Sequence, residues 1–436
     1  MLLNTKKLSN GINLNFLQSN KFKTGILVIN LGLPLTFEGA AHSLLLSSLM
    51  SRGTKKYPSI ALINKSLDEL YGSYVEIRSS HVCNESILTI SSEILDSRFI
   101  PDDTDVLSGV LEILSELLLF PKFMEEDFDA SIFEHEKKTV LDNLKSEKNN
   151  TRTYALKRCT EILREEVSSF PTHERLMELV ANTSLDQIRS YYKELLSTAS
   201  PNVFYIGGTA LSEISKKLVD IFPDQWKAIA RTKASPLLYE RSSFASVKES
   251  MPVSQGKLAL GFSTGACISP DDDEYYTALM LNEIFGGSPA SKLFLNVREK
   301  MGLCYYCSSS YSIYTGAMMV SSGIEVSKLD IVRKAILSQL DEIKKGNISE
   351  YELKAAQSSI SNSYRQLYDN PLDMQSFYSG RALFGVKDSI EDCIQKLMKV
   401  RAEDISELAK TISLGAEFFV EGTLCENECQ EDADDE

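Results

Sequence analysis

Histidine is scarce in this chain, with four in 436 residues: His42, His81, His135 and His173. His173-Glu174 could open an HExxH zinc motif, but Met177 stands where the second histidine would be needed. His135 lies between Glu134 and Glu136 on a charged, helical-looking run and reads as solvated; His81 precedes a strand-like run without a neighbouring partner. Long apolar runs are absent too. The greasiest stretch, Val106 to Phe120, is interrupted by Glu112 and Glu116, well short of the roughly 18 apolar residues of a membrane span. The opening MLLNTKKLSNG has no apolar core behind its lysines, so a cytoplasmic protein is expected. Neither GxxxxGK[ST] nor GxGxxG occurs, which removes the phosphate-cradling and dinucleotide-binding loops.

The eight cysteines, from Cys83 to Cys429, follow no disulfide framework and suit reduced thiols. Cys304 and Cys307 form a CYYC pair and Cys425 and Cys429 a second. A structural zinc site wants four ligands in compact pairs, and these pairs lie far apart, so spacing alone favours ordinary core thiols over zinc or redox chemistry. Gly261-Phe-Ser263-Thr-Gly265 matches GxSxG. That motif needs a helix starting directly after the serine; here Pro270 and a run of aspartates intervene, so a strand end is the better reading.

What the chain does contain is an ordinary globular balance, 43% hydrophobic and 25% charged, at a length suited to two or three domains. Acids outnumber bases 61 to 46, for a net charge of −15, and seven of the acids fall in the last eleven residues. This sign argues against nucleic acid and anionic membrane as partners, and the tail composition predicts disorder.

Strand-like runs at Ile12–Phe16 and Gly25–Leu31 precede an apolar helix over Ala41–Met50; a strand pair is expected at Tyr74–Arg78 and Ser86–Ser91. Helices follow over Thr104–Phe120, Glu125–Lys148 and Thr153–Glu166, then a strand at Asn202–Ile206 and a helix at Leu211–Ile221. The pattern weakens between Pro223 and Gly256 and then restarts: strand Lys257–Ser263, helix Glu274–Phe285, strands at Tyr305–Tyr311 and Ala317–Glu325, helices at Ser327–Lys345, Ser349–Leu367 and Ala402–Thr411, and a last strand at Glu417–Glu421. HSLLLSSLMSRGT and YTALMLNEIFGGS occupy corresponding places, which suggests an internal repeat. The expectation is an α+β protein of two similar domains, each a mostly antiparallel sheet with helices on one face, over 1–224 and 256–424, joined by a linker over 225–255 and ending in an acidic tail over 425–436.

Several segments, in order, resemble the insulinase/pitrilysin family of zinc peptidases, which includes the mitochondrial processing peptidases. They are KLSNGINLNFL at the start, GAAH at 39–42 with RGTKKYP at 52–58, FEHEKKTVLDNL at 133–144, and above all IFGGSPASKLFLNVREKMGLCY at 284–305. The resemblance implies the family's metallohydrolase fold, forming half of a clam-shell chamber.

The departures from the family matter more. Its catalytic helix carries HxxEH, two histidines that hold zinc and a glutamate that takes a proton from the metal-bound water. Aligned on GAAH, the three slots hold His42, Leu45 and Leu46; aligned on RGT, they hold Leu44, Ser47 and Ser48. The base and at least one histidine are missing either way. On the later helix Glu136 remains, but Asn143 fills the ligand position seven residues on. The resemblance therefore implies no catalytic zinc and no cofactor in this chain. It also implies that Arg298 and Tyr305 match the family's arginine–tyrosine pair, which binds substrate and can polarise its carbonyl. The expected function is a non-catalytic subunit of a heterodimeric zinc peptidase, whose HxxEH-bearing partner holds the zinc and whose substrate is a peptide or unfolded polypeptide. The rival is a structural scaffold or peptide-binding protein without catalytic contribution.

Overall fold

In a computed structural model the description covers residues 3–164, 170–222, 224–226, 237–265, 267–268, 270, 272 and 274–423. The chain divides into two compact units, neither contiguous in sequence. The first comprises 1–145, 169–235 and 366–389; the second comprises 146–168, 236–365 and 390–436.

The first unit is built on a six-stranded sheet of β1 (Asn4–Lys7), β2 (Asn13–Gln18), β3 (Thr24–Pro34), β4 (Tyr74–Val82), β5 (Glu85–Leu95) and β6 (Asn202–Gly207), in the order β1-β2-β6-β3-β5-β4. Only β2 and β6 run parallel within it. Side chains alternate across the pleat. Leu27, Ile29 and Leu31 of β3 face the main core, shared with helices Phe37–Met50, Val106–Leu119 and Leu185–Thr198. Ile26 and Val28 point the other way and meet Met374 and Tyr378 of helix Pro371–Leu383.

The second unit has five strands, β7 (Ala245–Met251), β8 (Gly256–Ser263), β9 (Tyr306–Ser312), β10 (Ala317–Ile324) and β11 (Ser413–Gly422), in the order β7-β11-β8-β10-β9. All neighbours are antiparallel except β7 and β11. Here helix Thr151–Leu163, from the first half of the sequence, lies on the sheet, with Tyr154, Ala155, Cys159 and Leu163 packed on Ala259, Ala416, Phe418 and Val420. The architecture is thus the expected two α+β layers, but each unit takes one helix from the other half of the chain. Contiguous boundaries at 224 and 256 do not describe it, because helices 151–163 and 371–383 complete sheets remote in sequence.

The segment 225–255, read as a linker, contains β7, which extends a sheet, and Trp226, which is fully buried in the first core. Residues 227–236 of that segment, and the acidic tail, lie outside the described residues. Helices Ile60–Glu69, His173–Asn182 and Leu185–Thr198 had no counterpart in the sequence reading. His81 lies in β4 rather than before a strand, its ring 4.5 Å from that of Phe170. Among the described residues no helix is long and apolar enough to cross a membrane.

Candidate functional site

Helix Phe37–Met50 begins where Thr36 Oγ1 accepts a hydrogen bond from the Gly39 amide at 2.9 Å. Eight of its residues are buried, because it lies in the middle of the first core. Leu45 and Leu46 are wholly inaccessible and belong to that core, so the alignment on GAAH places two of its three slots among aliphatic side chains. His42 is half-buried, edge-on to Tyr191 with ring centroids 5.5 Å apart. Burial pushes its pKa down, against the opposing pull of Glu38 and Glu194.

The alignment on RGT leads to the remaining carboxylate. Leu44, Ser47 and Ser48 are half-buried, and the Ser48 hydroxyl donates to Glu136 Oε2. The Ser47 hydroxyl turns back to the Leu44 carbonyl at 2.9 Å. Glu136, on helix Ala130–Ser146, has 1% of its side chain exposed. Arg52 Nε stands 2.8 Å from Glu136 Oε1 as an ion pair, without the alignment of a hydrogen bond. Asn143, two turns further along the same helix, is exposed. A zinc ion needs three or four imidazole, thiolate or carboxylate donors. These positions supply one carboxylate, already engaged by a hydroxyl and a guanidinium, and do not fit zinc. Among the described residues no group of three or more His, Cys, Asp or Glu converges elsewhere.

The second unit places Arg298 and Tyr305 on either side of a turn. Arg298 lies in a π-helical segment, Leu293–Lys300, with its guanidinium 4.7 Å from the Phe294 ring centroid and 3.5 Å from Glu299 Oε1. Gly302 ends the helix in the left-handed region, at φ +61°, where only glycine is free of strain. Its amide donates to the Arg298 carbonyl at 3.1 Å. The Tyr305 amide then donates to the Gly323 carbonyl at 2.9 Å, fixing the chain against β10 just before β9 begins. The Arg298 side chain is 39% exposed and Tyr305 47%. Tyr306 is half-buried and packs across Gly323, where a Cβ would come within 2.4 Å of its ring. The Arg152 guanidinium covers Tyr306 at 4.2 Å. Arg52, which engages Glu136, lies in the RGT turn, where nothing in the sequence marks it as the partner of a carboxylate on a later helix.

The other motifs are structural. Ser263 of GxSxG is buried at the end of β8 and accepts from the Gly265 amide at 3.2 Å. His173 is buried as the first residue of its helix, and His135 is exposed.

Comparison with known proteins agrees with this geometry. The family described as "Peptidase M16 inactive domain" matches residues 147–360. A Bacillus subtilis protein described as "Probable inactive metalloprotease YmfF" is 26% identical over 414 residues, covering 95% of this chain and 96% of its own. A crystal structure of a conserved protein from Enterococcus faecalis superimposes with a TM-score of 0.84 at 28% identity, over 97% of this chain and 99% of that one. A peptidase M16 inactive domain from Pseudomonas fluorescens shares the fold, with a TM-score of 0.75 at 16% identity and coverage of 97% and 99%.

Proposed function

We propose, for a chain that belongs to the insulinase/pitrilysin (M16) peptidases of the inactive kind, the role of non-catalytic subunit in a two-chain zinc peptidase. That the chain is a peptidase-like protein without its own catalytic centre is the premise; the partner and the peptide are the proposal. The observation that carries it is the contrast between the two units. In the first, Glu136 is closed off by Ser48 and Arg52. In the second, Arg298 and Tyr305 keep their spacing and present a guanidinium and a phenol to solvent. Both groups are hydrogen-bond donors able to hold a peptide carbonyl and stabilise negative charge developing on it. The zinc and the general base would come from a homologous subunit carrying HxxEH.

The test begins with affinity capture from the native cytosol and identification of the chains recovered. A stoichiometric homologue with intact HxxEH supports the subunit role, and the reconstituted pair then takes Arg298→Ala and Tyr305→Phe. Removing a transition-state donor costs on the order of 10²-fold in kcat. Unchanged turnover in both variants, or recovery of this chain alone, leaves the scaffold or peptide-binding reading in its place.

A further inference from the structure

Tyr306 of β9, Gly323 of β10, Lys257 of β8, Val420 of β11 and Glu249 of β7 stand opposite one another, strand by strand, across the second sheet. Residues paired in this way point to one face. Here it is the face on which helix Thr151–Leu163 lies, since Val420 packs with Tyr154 and Ala155 of that helix. Gly323 has no side chain to fill its place, and the Tyr306 ring lies across it.

Two cations meet this ring. The Arg152 guanidinium, from the first turn of the helix, stands 4.2 Å from the ring centroid and donates to the Ser308 hydroxyl at 3.2 Å. The Lys257 ammonium stands 5.8 Å from the same centroid and donates to Gln255 Oε1 at 2.9 Å. Both groups carry more N–H donors than these bonds use. Among the described residues neither makes an ion pair, although acids outnumber bases 61 to 46 in the chain. The carboxylate on the same face, Glu249, is taken by Tyr154 Oη at 2.8 Å and by Lys148 at 3.4 Å. The Tyr306 phenol is pushed up, mainly by burial, and stays neutral, so it supplies no counter-charge. Lys257 is pulled down, first by burial and then by Arg152, as expected where two like charges share a partly buried place. Arg152 is exposed and Lys257 half-buried, which leaves the place open to solvent.

We propose that Arg152 and Lys257 form a binding site for one oxyanion, a carboxylate or a phosphate group. A guanidinium offers its N–H groups as a planar fork that matches either group, and an ammonium adds a point charge. The Ser308 hydroxyl and the Tyr306 ring hold the fork in place, and the positive end of helix Thr151–Leu163 lies alongside. A bound anion also removes the repulsion between the two cations. The site uses neither Arg298 nor Tyr305 and stands whether or not that pair serves a peptidase.

The test is isothermal titration calorimetry of the full-length protein in chloride buffer at fixed ionic strength, with inorganic phosphate as one probe and succinate as the other. At least one of them should bind at a single site with Kd on the order of 1 mM, and the probe that binds more tightly identifies the group. Arg152→Met and Lys257→Met should each weaken binding by about tenfold or more, as the loss of a charge-assisted contact requires. Lys248→Met removes an equal charge from the opposite face of β7, beside Phe419, and should leave binding unchanged. Absence of saturable binding of both anions to the wild-type protein overturns the proposal without recourse to any variant. So does an equal loss in Lys248→Met and Lys257→Met, which would mark the uptake as a general response to charge.

Discussion

Arg52→Ala should destabilise the first unit far more than an ordinary surface arginine would. Arg52 is about one-third exposed, but its partner Glu136 has only 1% of its side chain open to solvent and otherwise keeps the Ser48 hydroxyl. Exposed pairs contribute about 0–1 kcal/mol, whereas stripping one partner from a buried pair costs about 3–5 kcal/mol. With the guanidinium partly solvated and one hydroxyl donor retained, about 2–3 kcal/mol is expected. For a unit of this size each kcal/mol shifts Tm by about 2–4 °C, so the transition should fall by roughly 4–12 °C. Trp226 is the chain's single tryptophan and is wholly buried in the first core, its indole N–H donating to the Leu196 carbonyl at 3.2 Å. Its fluorescence in a urea titration therefore reports this unit. The double variant Arg52→Met/Glu136→Leu removes both charges and should recover most of the loss, since apolar replacement of a buried pair is often neutral. A loss below about 0.5 kcal/mol for Arg52→Ala would show that Glu136 does not depend on the guanidinium, and the account of this closed-off carboxylate would fall.

Three further outcomes follow from the same geometry. Leu44→His/Ser48→His/Asn143→Glu should gain stoichiometric zinc, measured by elemental analysis after dialysis, while Leu46→His/Asn143→Glu, which pairs His42 with a core position, should gain none and lose stability; zinc in the second variant alone would reverse the choice of alignment. His42 has a folded-state pKa below its unfolded value, so the unfolded chain binds more protons and stability falls as pH drops through about 6.5. His42→Gln should flatten that part of the profile between about pH 7.5 and 5.5, and an unchanged slope would place the dependence on other groups. Gly323→Ala puts a Cβ 2.4 Å from the Tyr306 ring and should cost about 1–3 kcal/mol by overpacking; a neutral effect in denaturant titration would mean that Tyr306 does not rest on this strand.

Much of this was legible in the chain itself. The alternation in Gly25–Leu31, the helical spacing of Val106–Phe120 and the restart at Lys257 set out two α+β layers, because periodicity reports which face of an element meets a core. The loss of the zinc donors was equally plain, since chemistry that needs imidazole cannot be done by leucine and serine at the same positions. Where the slots of the two alignments lie could not be read there: leucine and serine both occur on apolar helices, and only the packing puts Leu45 in the core and Ser48 against Glu136. The exchange of helices Thr151–Leu163 and Pro371–Leu383 was hidden for a related reason. An amphipathic helix records that it has an apolar face, but not which of two similar sheets that face will cover.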